Sequence, residues 1–207
     1  MTEQPSSQLH RVALTVNGVP RSADVPARRL LSDFLRHDLE LTGTHVGCEH
    51  GVCGACTILL DGEPVRSCLI FAVSVSGSSV TTVEGCGGTA GGLGLVQQAF
   101  VECHGLQCGF CTPGFVTTIT AYLDDHPDPT EDEARHAIAG NLCRCTGYQN
   151  IVASVLRAAE LKRTAAERPM SSPEPDAPEL PAAASSSGND IRGSAALAAG
   201  PAAEVRQ

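Results

Sequence analysis

Ten cysteines in a chain of 207 residues supply most of its metal-binding chemistry, and eight of them fall into two spaced sets. The first set has the spacing C-x4-C-x2-C-x11-C and consists of Cys48, Cys53, Cys56 and Cys68. The second set has the spacing C-x2-C-x31-C-x-C and consists of Cys108, Cys111, Cys143 and Cys145. Because thiolates are soft ligands that suit iron–sulfur clusters and zinc, each set predicts a metal site.

The spacing of the first set favours an iron–sulfur cluster. Its first three cysteines match the C-x4-C-x2-C spacing of plant-type [2Fe–2S] proteins, and nearby glycines would let backbone N–H groups turn toward the sulfurs. Zinc remains an alternative, although zinc ribbons normally carry two C-x2-C pairs and this loop has one. A Rieske centre needs two histidines; Cys48 and His50 form a C-x-H pair, but no C-x-x-H pair follows.

Cys103 stands five residues before Cys108 and repeats the C-x4-C-x2-C spacing with Cys108 and Cys111. It also falls at helical spacing with Leu93, Val96 and Phe100. A free cysteine on an apolar helix face behaves as a small hydrophobic residue, so we predict a packing role for Cys103. Cys86 and the histidines near the ligands (His45, His50 and His104) are expected to have no ligand role, the histidines as solvated loop residues.

The first half of the chain must position the first set, and its patterns predict a small mixed sheet packed on one helix. Alternating apolar residues flank the turn signals Asn17-Gly18 and Asp61-Gly62, which predict two hairpins. Apolar residues at helical spacing predict a helix over residues 30–39, and residues 78–85 predict a last strand. The glycine-rich run 85–94 is then expected to be a flexible connector.

The second half must position the second set, and there the apolar period becomes helical. Helices are predicted from Leu93 to about Gly105, from a Thr112-Pro113 start, from a Thr130–Glu133 capping box, and again from about Ile151. Four short helices in about seventy residues predict a small bundle. The Pro-, Ala- and Ser-rich C-terminal segment cannot bury enough apolar surface to offset its ordering entropy and is predicted to be disordered.

Composition narrows the functional class. The formal net charge of −9 argues against binding to nucleic acid phosphates. No stretch approaches the roughly 18 apolar residues of a membrane span, and the N-terminus lacks the basic and apolar regions of a signal peptide. We therefore expect a cytoplasmic chain with reduced cysteines, where clustered thiols more often bind metal than form disulfides.

Three segments carry a specific resemblance. "GCEHGVCGACTILLDGEPVRSCL", "QCGFCTPG" and "GNLCRCTGY" resemble, in order, the signature segments of the iron–sulfur subunit of the molybdenum hydroxylases, the family of xanthine dehydrogenases, aldehyde oxidoreductases and aerobic carbon monoxide dehydrogenases. The resemblance covers approximately residues 10–161. The amino-acid sequence of the first segment resembles the separate small subunits of bacterial carbon monoxide or aldehyde enzymes more closely than the fused animal xanthine enzymes.

The resemblance implies an α+β fold: a β-grasp ferredoxin domain of the plant type, then a small four-helix-bundle domain and the C-terminal tail. The predicted ranges are 9–84 for the ferredoxin domain, 85–92 for the connector, 93–163 for the helical domain and 164–207 for the tail. By resemblance the first cysteine set binds an outer [2Fe–2S] cluster and the second set an inner one. Gln107 and Cys145 would approach the pterin of a molybdenum cofactor, with Gln107 bonded to backbone as the alternative.

The function implied is electron transfer inside a larger enzyme. Electrons would pass from a molybdenum–pterin site on a large subunit through the inner and outer clusters to FAD on a medium subunit, in a heterotrimer. We predict no catalytic residue and no substrate site on this chain, which carries no dinucleotide-binding fingerprint. The alternative is a free-standing two-cluster ferredoxin that serves diffusible partners, and a zinc or thiol interaction module is a third hypothesis.

Overall fold

A five-stranded mixed sheet forms the N-terminal part of the chain in the computed structural model, which describes residues 8–88 and 91–167. The strands lie in the order β2-β1-β5-β3-β4, with β1 parallel to β5 and the other pairs antiparallel. Their bounds are Leu9–Val16 (β1), Val19–Pro26 (β2), Thr57–Leu60 (β3), Glu63–Arg66 (β4) and Ser79–Thr81 (β5). The predicted turns join β1 to β2 and β3 to β4, with Asn17 and Asp61 in the left-handed region.

One helical segment covers the apolar face of this sheet. It begins as the short helix α1 (Leu31–Asp33) and continues as a wider π-helical turn over Phe34–Asp38. The regular helix predicted for residues 30–39 was therefore wrong in detail. Leu31, Phe34 and Leu35 are all fully buried, and the segment packs against the strands through them. Tertiary packing thus takes priority over the regular helical period here.

Four helices form the C-terminal part and share a second apolar core. They are α2 (Leu95–Glu102), α3 (Thr112–Asp125), α4 (Glu131–Ala137) and α5 (Gln149–Glu167). Their core contains, among others, Phe100, Phe115, Ile119, Ile151 and Val155. Together with the sheet, these helices establish the α+β class that the sequence predicted.

Several helix ends differ from the predicted ones. Leu93 precedes α2 and is 59% exposed, so it does not share the buried face of Val96 and Phe100. Thr112 is the first helical residue rather than a side-chain cap, because Cys111 occupies the N-cap position. The predicted capping box is confirmed, with the Glu133 backbone N–H donating to the Thr130 hydroxyl.

The last helix runs to Glu167, so residues 164–167 are helical and were wrongly assigned to the tail. The remainder of the predicted tail, 168–207, lies outside the described residues, as do two residues of the predicted connector. None of the helices in the described ranges is long and apolar enough to cross a membrane.

Polar contacts join the sheet part to the helical part. The Thr117 hydroxyl on α3 donates to the carbonyl of Thr57 on β3 at 2.9 Å, and both residues are buried. The side-chain amide of the buried Asn141 donates to the Gly54 carbonyl at 3.0 Å. A Cβ at Gly114 would collide with that same carbonyl. A glycine in α3 and a buried asparagine therefore bring the two cysteine-bearing regions into contact.

Candidate iron–sulfur sites

The first cysteine set is carried by the loop before β3 and by a short turn after β4. The Cys53 backbone N–H donates to the Cys48 sulfur at 3.3 Å. This bond, with one from the His50 backbone, lowers the pKa of Cys48 to about 6. The thiols of Cys48 and Cys53 also hydrogen-bond each other. Cys48 is therefore prepared as a thiolate, the form that ligates metal.

The other two thiols of the first set lie inside the fold. Cys56, just before β3, is 1% exposed, and Cys68, in the turn Ser67–Leu69, is 3% exposed. The backbone N–H and the hydroxyl of Ser67 both bond the Cys56 carbonyl, which holds the two segments together. The two thiols hydrogen-bond each other, and burial, aided by Cys56, raises the pKa of Cys68 to about 11. A cationic ligand is needed to keep Cys68 deprotonated at neutral pH.

The second cysteine set comes from the two loops that precede α3 and α5. The sulfurs of Cys108 and Cys145 lie 3.4 Å apart, although 37 residues separate them in sequence. The thiols of Cys111 and Cys143 also hydrogen-bond each other. Burial, followed by the bond to Cys143, raises the pKa of Cys111 to about 12. A hydrogen bond from the Phe110 backbone instead lowers the pKa of Cys108.

Each set thus consists of two pairs of thiols, and this arrangement fits a two-iron cluster. The pairs are Cys48 with Cys53, Cys56 with Cys68, Cys108 with Cys145, and Cys111 with Cys143. A [2Fe–2S] cluster takes four thiolates, two for each iron. Four thiols arranged as two pairs therefore match the ligands that one such cluster needs.

The second set is more open to solvent than the first. Cys108 and Cys145 are exposed, while Cys111 and Cys143 are half-buried. Gln107, which the resemblance places near a pterin, is exposed beside Cys108, and Arg144 is exposed between two ligands. One pair of thiols thus faces outward, and the other packs against the helical core.

Several residues near the ligands were missed or misjudged from the sequence. His45, expected to be a solvated loop residue, stacks on Phe110 with ring centroids 5.1 Å apart and bonds its carbonyl at 2.8 Å. The hydroxyl of Thr146 lies 3.2 Å from the Cys143 sulfur, and the Tyr148 hydroxyl accepts the Cys143 backbone N–H. In the sequence, the role of Thr146 is indicated only by its position: a hydroxyl-bearing residue directly follows the C-x-C pair of Cys143 and Cys145.

The two remaining cysteines do not belong to the four thiol pairs. Cys103 occupies the C-cap of α2 and is half-buried, and its backbone N–H donates to the Ala99 carbonyl at 2.9 Å. Cys86 packs partly against the helical core, where burial raises its pKa.

Comparison with known domains assigns both halves of the chain. Residues 14–84 match the 2Fe-2S iron-sulfur cluster binding domain, which includes the whole first cysteine set. Residues 82–156 match the [2Fe-2S] binding domain, which includes the whole second set. The two matches meet at residues 82–84, where the chain passes from the sheet part toward the helices. The chain therefore contains two [2Fe–2S]-binding domains.

Sequence comparison identifies relatives that are matched over most of their own length. The chain is 59% identical over 149 residues to the caffeine dehydrogenase subunit gamma of Pseudomonas sp. (strain CBB1), covering 70% of this chain and 89% of that subunit. It is 52% identical over 157 residues to the nicotine 6-hydroxylase small subunit of Paenarthrobacter nicotinovorans, covering 76% and 93%.

A solved structure agrees with both the fold and the sequence comparison. The crystal structure of quinoline 2-oxidoreductase from Pseudomonas putida 86 contains a chain that is 48% identical, with a TM-score of 0.73. The match covers 76% of this chain and 98% of that one. Two adjacent [2Fe–2S]-binding domains and near-complete coverage of small-subunit relatives lead to one conclusion: this chain belongs to the family of small iron–sulfur subunits of the molybdenum hydroxylases.

Proposed function

We propose that this chain relays electrons from a molybdenum–pterin subunit through its two cysteine sets to a flavin subunit. Cys108, Cys111, Cys143 and Cys145 would hold the inner cluster, and Cys48, Cys53, Cys56 and Cys68 the outer one. Each cluster, when bound, supplies one-electron redox chemistry. The chain's own part is to hold both clusters rigidly and close together.

The observation that carries this proposal is a direct link between the two ligand sets. The Leu142 backbone N–H donates to the Cys53 carbonyl at 2.9 Å. Cys53 is a ligand of the first set, and Leu142 precedes Cys143 of the second. One hydrogen bond therefore separates the backbones of the two cluster loops. The buried amide of Asn141, bonded to Gly54, keeps these loops in register. This short distance between the loops suits electron transfer between two clusters within one chain.

The exposed pair of the second set is where we propose that the molybdenum subunit docks. Cys108 and Cys145 are exposed, and exposed apolar side chains lie beside the ligands in sequence: Leu106, Phe110 and Leu142, which are 40%, 48% and 52% exposed. Apolar surface around an electron-transfer site is typical of a protein contact that excludes water. Gln107 has the amide donor and acceptor needed to bond a pterin there.

We infer a heterotrimer with one large molybdenum–pterin subunit and one medium FAD subunit. The comparisons support a multi-subunit enzyme, since the matched relatives are named as subunits. They favour this arrangement over a free-standing ferredoxin. The finer fold that we propose is a β-grasp domain over residues 9–84 and a four-helix bundle over 93–167, joined by the connector 85–92. The strand order with β5 between β1 and β3 supports the first part. A cytoplasmic location stays a prediction.

We further propose that the complete enzyme oxidises a nitrogen heterocycle. The named activities of the relatives concern caffeine, nicotine and quinoline. The substrate would bind on the molybdenum subunit, because this chain's chemistry consists of cluster ligands and their supports. The sequence alone left the substrate open and showed only a likeness of the first segment to small subunits of bacterial carbon monoxide or aldehyde enzymes.

Purification of the tagged chain with its co-expressed partners tests the function. We expect a complex containing molybdenum and FAD, two distinct [2Fe–2S] electron paramagnetic resonance (EPR) signals on reduction, and bleaching of both clusters by the substrate. The substrate assay compares caffeine, nicotine and quinoline with carbon monoxide and an aldehyde. A cluster-loaded chain that is always isolated alone would support the free ferredoxin instead. A colourless chain containing zinc would refute both.

A further inference from the structure

Three hydrogen bonds form a closed ring around one ligand of the second set. The Cys143 backbone N–H donates to the Tyr148 hydroxyl at 3.0 Å. The Tyr148 backbone N–H donates to the Thr146 hydroxyl at 3.1 Å. That hydroxyl lies 3.2 Å from the Cys143 sulfur, which closes the ring. Each of the three residues thus contacts both of the others.

The other contacts of the ring determine which atom is the donor in the bond between Thr146 and the Cys143 sulfur. A ligating cysteine is a thiolate and has no proton to donate. The Thr146 oxygen already accepts the Tyr148 N–H, and its own proton remains free to donate. The Thr146 hydroxyl must therefore donate to the Cys143 sulfur when that sulfur binds iron.

Tyr148 is held firmly enough to keep this donor in place. Its backbone is in the left-handed region, with φ of 68°, which turns its N–H back toward Thr146. Its ring meets the ring of Phe115 edge-on, with centroids 6.4 Å apart, and Phe115 is fully buried. The hydroxyl of Thr146 is thus fixed relative to the sulfur before any electron arrives.

The first cysteine set lacks an equivalent donor within residues 8–88 and 91–167. The hydroxyls nearest to it in the chain bond carbonyl oxygens: Thr57 bonds that of Gly54, and Ser67 that of Cys56. The sulfurs of that set accept from backbone N–H groups instead, among them those of Cys53 and His50 at Cys48 and that of Gly51 at Cys68. A side-chain hydroxyl therefore distinguishes the second set from the first.

We propose that Thr146 is a positioning residue that raises the reduction potential of the inner cluster through its hydrogen bond to Cys143. The inference rests on the proposed function, because it takes Cys143 as a ligand of that cluster. Reduction adds negative charge to the cluster and its sulfurs, so a hydrogen bond to sulfur is stronger in the reduced state. The donor thereby favours residence of the electron on the inner cluster, relative to the outer one.

An EPR-monitored redox titration of the cluster-loaded protein tests this inference. The Thr146→Val variant keeps the side-chain shape and removes the donor. We expect its inner cluster to be reduced about tenfold less favourably, a fall in potential of ~59 mV for one electron. The Thr146→Ser variant keeps the hydroxyl and should retain most of the wild-type potential. The reduction potential of the outer cluster is the internal reference and should not change.

Thr164→Val is the matched control, because that hydroxyl bonds a carbonyl within α5, outside both sets. A Thr146→Val protein with full iron and an unchanged inner potential would overturn the inference while leaving the relay function intact. Equal shifts in the valine and serine variants would also overturn it. If the valine variant does not load the inner cluster, Thr146→Ala takes its place. Loss of the cluster in both variants counts against the inference, and a wild-type chain without clusters counts against the proposed function.

Discussion

At the scale of single residues, the eight paired thiols differ widely in acidity within each set. Backbone hydrogen bonds lower the pKa of Cys48 to about 6, while burial raises that of Cys68 to about 11 and that of Cys111 to about 12. Without metal, the thiols of Cys68 and Cys111 are protonated at neutral pH. Because ligation requires thiolates, the positive charge of iron must offset the burial of Cys68 and Cys111. Iron loading therefore releases protons from Cys68 and Cys111.

The surplus cysteine Cys103 provides a direct test of the ligand assignment. The Cys103→Ala protein should keep both clusters, because this residue caps α2 and lies outside the thiol pairs. The Cys108→Ala protein should lose the inner cluster, because it breaks the pair with Cys145. Iron analysis and EPR spectra of the two variants separate these outcomes. Loss of the inner cluster in the Cys103→Ala protein would show that the second set is assigned incorrectly.

At the scale of secondary structure, β3 and α3 carry the ligand loops and meet through buried polar contacts. Cys56 directly precedes β3, and Cys111 is the N-cap of α3. The Thr117 hydroxyl bonds the β3 backbone, and the close approach of Gly54 to Gly114 leaves no room for a side chain. Two small residues and one hydroxyl therefore hold the starts of β3 and α3, and hence the two ligand loops, side by side.

Thr117→Val should lower the stability of the cluster-loaded protein by about 1 kcal/mol, because the buried Thr57 carbonyl loses a donor. For a domain of this size that corresponds to a fall of about 2–4 °C in the thermal midpoint. Thr120→Val is the matched control on the same helix, since that hydroxyl bonds the Val116 carbonyl of its own helix at 2.7 Å and the Cys86 thiol, and makes no bond to β3. Equal losses in the two variants would mean that the contact between β3 and α3 contributes nothing specific.

At the scale of the whole molecule, the two sites differ in exposure. The first set keeps Cys56 and Cys68 buried, whereas the second has an exposed pair, Cys108 and Cys145. A cluster edge open to water is expected to be covered when the enzyme is assembled, because burial excludes solvent and oxidants. The exposed apolar residues beside this pair are consistent with a permanent partner rather than a diffusing one.

Hydrogen–deuterium exchange of the free chain and of the assembled enzyme tests where the molybdenum subunit docks. Amides of residues 104–111 and 142–147 should exchange more slowly in the complex, because docking covers the exposed pair. The hairpin of β1 and β2, at the edge of the sheet, serves as the internal control and should change little. Protection confined to that hairpin would place the interface on the opposite part of the chain.

Much of the element order could be predicted from local patterns. The turn pairs Asn17-Gly18 and Asp61-Gly62 identified both hairpins, and the Thr130–Glu133 capping box began α4 as expected. Errors occurred where packing outweighs local preference. The segment after Leu30 widens into a π-helical turn, and Leu93 stays outside α2. A periodicity argument cannot detect either outcome, because both depend on which surface the segment meets.

The sequence by itself determined the chemistry: cysteine spacing favoured a [2Fe–2S] cluster at the first set and a metal site at the second, and the family resemblance implied a [2Fe–2S] cluster at the second set as well. The spacing is visible because neighbouring cysteines of a set come from single loops. Only the tertiary structure decided the arrangement of the thiols in pairs, such as Cys108 with Cys145, across 37 residues of sequence. It also decided the bond from Leu142 to Cys53 and the ring around Cys143. These contacts depend on the packing of α3 against β3, which no local pattern encodes.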